Sequence, residues 1–528
     1  MIANTWKSDL GSGFLVFLIA LPLCLGISMA SGFPPTAGIL TAVIGGMLVS
    51  FLGSARLTIK GPAVGLIVIA LGAVTDLGAG DNILGYKRAI AAGVIAGLIQ
   101  IVFALRKASS VGDLMPSSVV HGMLAAIGII IISKQAHIAM GVTPLAKEPL
   151  PLLAEIPHSI LNLNPAVFCI SALSLLILFG LPVVKLPWVG MVPGPLAVLL
   201  TAVPLGLLFD LEHEHNYYFS NHLYHLGPDS LVRLPGSLAS TIAFPDFSAI
   251  LSFVSIKYII LFALVGSMEN LLSVSAVDSL DPEQRASDMN KDLLATGVGN
   301  TLAAALGGLP MISEIVRSKV NIDAGAKSSL SNVFHGAFLL LSLALVPALL
   351  QKVPLAALAA MLIYASFRLA SAKEFLHVYR IGVEQLLLFV TTVAVTLATG
   401  LLTGACAGLL LKLVLHLKNG ARLSTMFQAI AKEERRGDEL ILHVHEAAIF
   451  TNFLALRARL RDVEDSVRKV VVDFDNAWVV DHTVLERLRG IERTWTQRKL
   501  MLTGLGGQMP MSSPQLAGRS KAHPAVAA

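Results

Sequence analysis

The residues of this chain with the clearest chemical content are the few charged ones inside apolar runs. Glu269 sits mid-span in Phe262-Ala-Leu-Val-Gly-Ser-Met-Glu269-Asn-Leu-Leu-Ser273. A carboxylate held there must lose its charge or find a cation. Three roles fit: a Na⁺ ligand with the Ser273 hydroxyl one turn on, a proton-coupling acid, or half of a structural ion pair with Arg317. Arg317 is expected about two turns into a short helix after Pro310-Met-Ile-Ser313. There a guanidinium sets a positive field, unless it snorkels to the interface or only stabilises helix packing. Glu314 is an awkward charge beside an anion, so it either points away or binds the coupling cation.

Other chemistry is sparse. Glu212-His213-Glu214-His215 with His222 and His225 would suit zinc if the stretch folded on itself. A solvated histidine-rich loop is the plainer reading. His121 and His335, in apolar spans, read as hydrogen-bonded packing residues rather than relay groups. Cys24, Cys169 and Cys406 are far apart and lack ligand spacing, so neither a disulfide framework nor a zinc site is implied. No metal site and no cofactor are expected, apart from Na⁺ as a coupling ion. An intramembrane enzyme would need paired acids, a nucleophile with a base, or converging ligands. Only Glu269, Glu314 and scattered histidines are on offer, so an enzyme is not expected.

The elements that position these residues are membrane spans. Of 528 residues 55% are hydrophobic and 14% charged, with a mean hydropathy of +0.74. A soluble chain carries about 25% charged residues, so a water-facing surface cannot be built from this composition. Apolar runs of about 20 residues recur from Leu10 to Leu417. Full spans are expected near 10–30, 34–52, 87–105, 114–133, 165–184 and 190–209, then near 248–275, 292–307, 329–350, 354–369, 384–399 and 400–417. The first run is read as a retained span and not a cleaved signal. Each half also holds one short piece broken by Gly and Pro, Gly61 to Thr75 and Pro310 to Val320, which points to an inverted-repeat transporter and its binding site. Helix starts there present free N–H groups that attract an anion. Pro62 is expected in a first helical turn. The bland alternative is that these pieces are kinks or tight packing. Single basic residues at span ends, from Lys7, Arg56 and Arg106 to Lys418 and Arg422, favour cytoplasmic termini. They form no nucleic-acid patch.

After Lys418 the composition becomes charged. Strands are expected at Glu439 to His445, Lys469 to Phe474 and Lys499 to Thr503, with helical pattern at Asn452 to Val467 and Thr483 to Gln497. The domain reading is a membrane domain at 1–420 with repeats at about 9–209 and 248–418, a small cytosolic α/β domain at 437–505, and a disordered tail at 506–528.

Ala20-Leu-Pro22-Leu-Cys-Leu-Gly-Ile-Ser-Met-Ala-Ser-Gly32-Phe-Pro-Pro35-Thr-Ala-Gly38 resembles the first-span signature of the sulfate permease family. Gly61-Pro62 resembles its third-span start, Asn290 to Asn300 the start of its ninth, and Arg317-Ser318 with Asn321 and Gly325-Ala326 its tenth. The tail is similar to a STAS domain, named for sulfate transporters and anti-sigma-factor antagonists. The likeness covers nearly the whole chain. It implies an all-α polytopic fold of fourteen segments in a seven-plus-seven inverted repeat, a core moving against a gate, and a homodimer in the plasma (inner) membrane. It implies substrate between the third and tenth segments, near the first and eighth. Residue by residue, that places Gly61, Pro62, Ala63, Val64, Gly65, Ser313, Glu314, Ile315, Val316 and Arg317 at the anion, and Leu23 and Ile27 as first-span lining. Leu23 and Ile27 replace the Gln and aromatic of many sulfate-type members. The Ala-Leu-Pro-Leu run is closer to the cyanobacterial bicarbonate branch, whose sodium-site acid and hydroxyl match Glu269 and Ser273. Val316 replaces a small residue, so no side-chain contact carries over there. Val480-Asp481-His482-Thr483 departs from the phosphorylatable Asp-Ser of antagonists.

The implied function is secondary active transport of a small inorganic anion, bicarbonate or sulfate, coupled to Na⁺ or H⁺ by alternating access. A nucleobase-type symporter of the same fold and an anion exchanger or channel-like relative are the architectural alternatives. A membrane-tethered signalling module is the alternative of another class.

Overall fold

The structure is a computed structural model describing residues 5–107, 115–146, 148–183, 193–234, 241–283, 285–422, 430–461, 463–464, 466–495, 498–506, 509–510 and 518–520. It divides into two units, residues 1–112 with 127–369 and residues 113–126 with 370–528.

Short polar side chains cap three helix starts, two of them a few residues ahead of the spans expected at 87–105 and 292–307. Asp81 accepts from the N–H groups of Ile83 and Leu84 to open α5 (Asn82–Leu105). Asn164 does so for α8 (Pro165–Gly180) and Asp288 for α11 (Met289–Ala305). In the first unit α1 (Trp6–Ala30) turns at Gly32, whose φ of +74° is left-handed and suits glycine. α2 (Pro35–Ile44) then runs through a π-helical turn, Gly45–Val49, into α3 (Ser50–Leu52). β1 (Lys60–Pro62) and α4 (Ile67–Gly78) follow, then α5 and α6 (Ser117–Ala139), the last shared between the units. α7 (Pro149–Leu161), α8 and α9 (Gly194–Leu208) complete this half, with a hairpin of β2 (His215–Phe219) and β3 (His222–Leu226) after them. The second half brings α10 (Phe253–Leu280), α11, β4 (Met311–Ser313), α12 (Ile315–Asp323), α13 (Leu330–Leu345), α14 (Pro347–Leu350) and α15 (Leu355–Leu369).

Among the described residues seven helices are long and apolar enough to cross a bilayer, and α9, α13 and α17 (Val383–Thr399) are apolar but shorter. The span expected at 165–184 ends as helix at Gly180 and is preceded by α7, bent from it by 115°. Pro149, Pro151, Glu155 and Pro157 hide α7 from an apolar-run reading. Part of the span expected at 190–209 lies outside the described residues. Small residues let the two halves touch, as helices in lipid require. A Cβ on Gly297 of α11 would lie 2.9 Å from the Ile101 nitrogen of α5, and one on Gly13 of α1 would lie 2.8 Å from Phe334 Cβ of α13.

The second unit holds α16 (Ala372–Ile381), α17 and α18 (Leu401–Lys418), the last two joined at Gly400 with φ +121°. Its tail is an α/β layer: β5 (Ile430–Arg436), β6 (Glu439–Ala448), α19 (Phe453–Arg461), β7 (Lys469–Asp473), β8 (Ala477–Val480), α20 (His482–Thr494), β9 (Lys499–Thr503), β10 (Met509–Pro510) and β11 (Arg519–Ser520). The sheet order is β10-β11-β8-β6-β7-β9, with β5 antiparallel to β6 and β6, β7, β8 and β9 paired in parallel. Val444, Val472, Phe453, Leu456, Val484 and Leu488 belong to its core. Two differences from the sequence reading stand out. The sheet begins at Ile430, ahead of 437, because β5 is too charged to show alternation. Strands β10 and β11 fall within 506–528, read above as disordered; most of that stretch lies outside the described residues.

A buried ion pair joins the tail to α18. Lys412 Nζ is 2.8 Å from Asp481 Oδ1, with side chains 1% and 0% exposed, and His416 Nε2 is 3.7 Å from the other oxygen. Ala421, Ala447, Ile449 and Val479 pack beside it with Leu413. Asp481, at the N-cap of α20, makes no side-chain cap bond. Burial pushes its carboxyl up, but Lys412 and then His416 outweigh this and hold it well below the usual carboxylate range. Its contribution is therefore complete above the unfolded value of about 3.9 and is lost only as pH falls toward the lower folded value. Lys412→Met strands a lone buried carboxylate and is expected to cost about 3–5 kcal/mol, while Lys412→Met with Asp481→Leu recovers most of it. Thermal unfolding of both variants checks this, and a single variant as stable as the parent overturns it.

Candidate functional site

The centre of the first unit is a crossing of two broken segments. β1 and β4 pair antiparallel, Lys60 with Ser313, Gly61 with Ile312 and Pro62 with Met311. Backbone bonds extend the crossing from Ala63 N–H to Pro310 O (3.3 Å) and from Glu314 N–H to Ile59 O (2.9 Å). α12 fastens the lead into β1, since Ser318 Oγ accepts from Ile59 N–H and Asn321 Nδ2 donates to Leu57 O. Pro62 therefore lies in a strand and not in a first helical turn. The chain turns helical only at Val64–Leu66 and then α4, and its fixed φ suits either place. Ser313 is likewise strand, which puts Arg317 in the first turn of α12 and not two turns in.

The start of α4 meets two acids, while Glu314, the N-cap of α12, makes no side-chain cap bond to its own helix. Glu269 accepts from the Gly65 N–H and Glu314 from the Val64 N–H. Glu269 Oε2, Glu314 Oε1 and Ser313 Oγ are buried without a partner. Glu314 thus turns toward the crossing and not away from it. Arg317 is 1% exposed, so it does not snorkel. Its Nη1 is 3.6 Å from Cys24 Sγ, while Nε and Nη2 have no partner. No ion pair joins it to Glu269 among the described residues, so that structural role falls. A Cβ on Gly61 would meet Arg317 Nη1, and one on Gly65 would overlap the Glu269 carboxylate.

The remaining expected residues are placed unevenly. Ala63 and Ile27 are buried, Val64 is half-buried, and Ser273 is buried four residues beyond Glu269. Ile315 and Val316 are 40% and 46% exposed, so the structure brings only their backbone to the crossing. Leu23 packs instead on the cluster of Ala166, Ala357 and Met361, and Arg317 meets the first span at Cys24. One residue of helix is a rotation of about 100°, and no apolar pattern distinguishes the two.

Sequence reasoning missed the polar network behind the crossing. Lys60 Nζ reaches Asp292 Oδ2 (2.6 Å), Thr296 Oγ1 (3.0 Å) and Asn270 Oδ1 (3.1 Å). Asn270, next to Glu269, also accepts from Ser313 N–H at 2.9 Å and donates to Asp292 at 3.0 Å. Asn300 holds the other end of β4, accepting from Met311 N–H and donating to Gln100. The signal was a lysine immediately before the first broken segment and an aspartate at the first residue of the span read at 292–307.

The histidines lie elsewhere. His215 and His222 of the β2–β3 hairpin bond to neighbouring carbonyls through Nδ1, His213 pairs with Asp210, and His225 with Asn216. Among the described residues no three His, Cys, Asp or Glu side chains group as a metal site. His335 is buried and 3.3 Å from Asn332 Oδ1, whereas His121 is half-exposed, 3.5 Å from Glu374.

Comparison with known proteins agrees with this arrangement. The family model described as the sulfate permease family matches residues 6–392. YvdB of Bacillus subtilis is 27% identical over 415 residues, 78% of this chain and 74% of that protein. The bicarbonate transporter BicA of Synechocystis is 24% identical over 446 residues, 83% of this chain and 74% of that one. The solved transmembrane domain of a cyanobacterial BicA superposes with a TM-score of 0.63 at 23% identity, over 76% of this chain and 97% of that domain. SLC26A9 superposes with a TM-score of 0.69 at 13% identity, over 96% of this chain and 85% of that one. With its family matched over most of its length and its helices arranged as in these folds, the chain belongs to the sulfate permease family and is a multi-pass membrane anion transporter, not an enzyme.

Proposed function

We propose that the chain is a secondary active transporter of bicarbonate or sulfate, working by alternating access with Na⁺ or H⁺ as the coupling ion. The observation that carries this is Arg317, a buried guanidinium with two unpartnered N–H positions at the start of α12, facing the start of α4 across the crossing. An unpaired buried cation is costly, and a small oxyanion is the ligand that offers bidentate acceptors to a guanidinium. The N–H groups at the start of α12 add to that attraction, those of Val64 and Gly65 being taken by Glu314 and Glu269. The acids argue for coupling. Lys60 and Arg317 face three carboxylates, buried Asp292 and half-buried Glu269 and Glu314, each of these two with one buried oxygen that has no partner. An incoming anion deepens that negative excess, so a cation enters with it. Unpartnered oxygens of Glu269, Glu314 and Ser313 are its ligands if it is Na⁺, and the two carboxyls are its carriers if it is H⁺.

The same reading takes the two broken segments as the third and tenth of fourteen in an inverted repeat. It takes the tail as a STAS-like regulatory or structural domain, both termini as cytoplasmic, and the protein as a homodimer in the plasma membrane. A nucleobase symporter is the second reading, and the guanidinium weighs against it.

Purified protein in liposomes, given labelled bicarbonate, sulfate and uracil under separate Na⁺ and pH gradients, is expected to accumulate one of the two anions under one gradient. Accumulation of uracil alone overturns the proposal. Arg317→Ala is expected to lower anion uptake about 10- to 100-fold, the worth of one charge-assisted hydrogen bond, with protein level kept. Glu269→Gln keeps size and removes charge, so uptake should lose its response to whichever gradient drives the parent; unaltered coupling removes this residue from the mechanism. Gly61→Ala and Gly65→Ala press only on the flexible ends of Arg317 and Glu269. They should therefore melt close to the parent yet transport at least about tenfold more slowly, and wild-type uptake in both would place the seat elsewhere. Truncation after Lys418, combined with Lys412→Met, is expected to leave the preference among anions unchanged, which competition by unlabelled anions reads directly.

A further inference from the structure

The Lys60 ammonium sits in something more than an ion pair. Its three donors meet one carboxylate oxygen, one amide oxygen and one hydroxyl, all from α10 and α11, at 2.6 to 3.1 Å. The Lys60 and Asp292 side chains are 3% and 0% exposed, and Asp292 Oδ1 is buried with no partner of its own. Asn270 Nδ2 donates to the carboxylate and Ser313 N–H to the amide oxygen, which holds both in place. An all-oxygen shell with one negative charge, orientated by its neighbours, is the donor set that hard cations take in proteins. Nothing in the wall requires that the cation be attached to the chain.

We propose that the pocket between α10 and α11 is a monovalent-cation site which this chain keeps filled with its own Lys60 ammonium. The tethered cation never exchanges with solution. The pocket therefore holds β1 and β4 on α10 and α11 whatever the ionic composition outside, and any ion that moves with the substrate is bound elsewhere. Its ligand class follows from the occupant: K⁺, NH₄⁺ or methylammonium, small singly charged ions able to sit where an ammonium sits, and not choline.

The test removes the tether and supplies the ion. Purified full-length Lys60→Ala, in detergent at constant ionic strength, is expected to melt about 5–10 °C below the parent in choline chloride, because Asp292 is left as an unpaired buried charge. Replacing choline by NH₄⁺, K⁺ or methylammonium should restore at least half of that loss along a saturable curve. Lys60→Ala with Asp292→Asn carries no lone charge, so in choline it should melt above the single variant and show no such curve. Any response arising at Glu269 is common to parent and variants and cancels in the comparison. The proposal is overturned if no small cation raises Lys60→Ala more than it raises the parent, or if the double variant responds as the single one does. Should Lys60→Ala yield no folded protein, the double variant decides: recovery of folded protein supports the site, and equal failure overturns it.

Discussion

Three residue pairs, Lys60 with Ser313, Gly61 with Ile312 and Pro62 with Met311, hold the centre of this transporter together. Inside a bilayer there is no water to bond a broken backbone, so irregular chain survives only where protein satisfies it. Here each broken segment is the other's partner. The crossing cannot be built from one half of the chain, and it is the reason two helix starts, two acids and a guanidinium share one place. Asn270 and Asn300 bond the ends of β4, and Ser318 and Asn321 the lead into β1, which makes them part of the same constraint and not additional devices.

The two units each contain a buried lysine–aspartate pair, in different surroundings. Lys60–Asp292 is surrounded by further hydrogen-bonding oxygens, so its charges are satisfied in several directions. Lys412–Asp481 has a histidine at longer range. Burying charge is expensive in both cases, and removing one partner of either pair leaves the other as an uncompensated buried charge. A slip of either element by one residue would strand two charges at once.

Sequence disclosed the parts of this architecture that rest on local exceptions. Gly61-Pro62 and Gly307-Gly-Leu-Pro310 announce broken helices, and Glu269 and Arg317 are visible because charge is rare in apolar runs. Relations between distant residues were hidden. Nothing near Lys60 names Asp292, and the strand pairing that places Arg317 in a first turn is a contact between halves. Cys24 and Leu23 differ by one step around a helix, which a first span buried on most sides does not encode. In the tail, strands with an apolar face were legible, whereas β5, lined with Lys432, Glu433, Glu434, Arg435 and Arg436, was recognised only through its pairing with β6.

The Lys60 pair also bears on how the protein is made. Its two members are separated by 232 residues. At about 5–20 residues per second, a ribosome delivers Asp292 roughly ten to fifty seconds after Lys60 has entered the membrane. Through that interval the chain around β1 carries an uncompensated positive charge that lipid will not accept. It must wait at the interface or against the insertion machinery, so the first half of this transporter reaches its final depth only when the second half arrives to receive it.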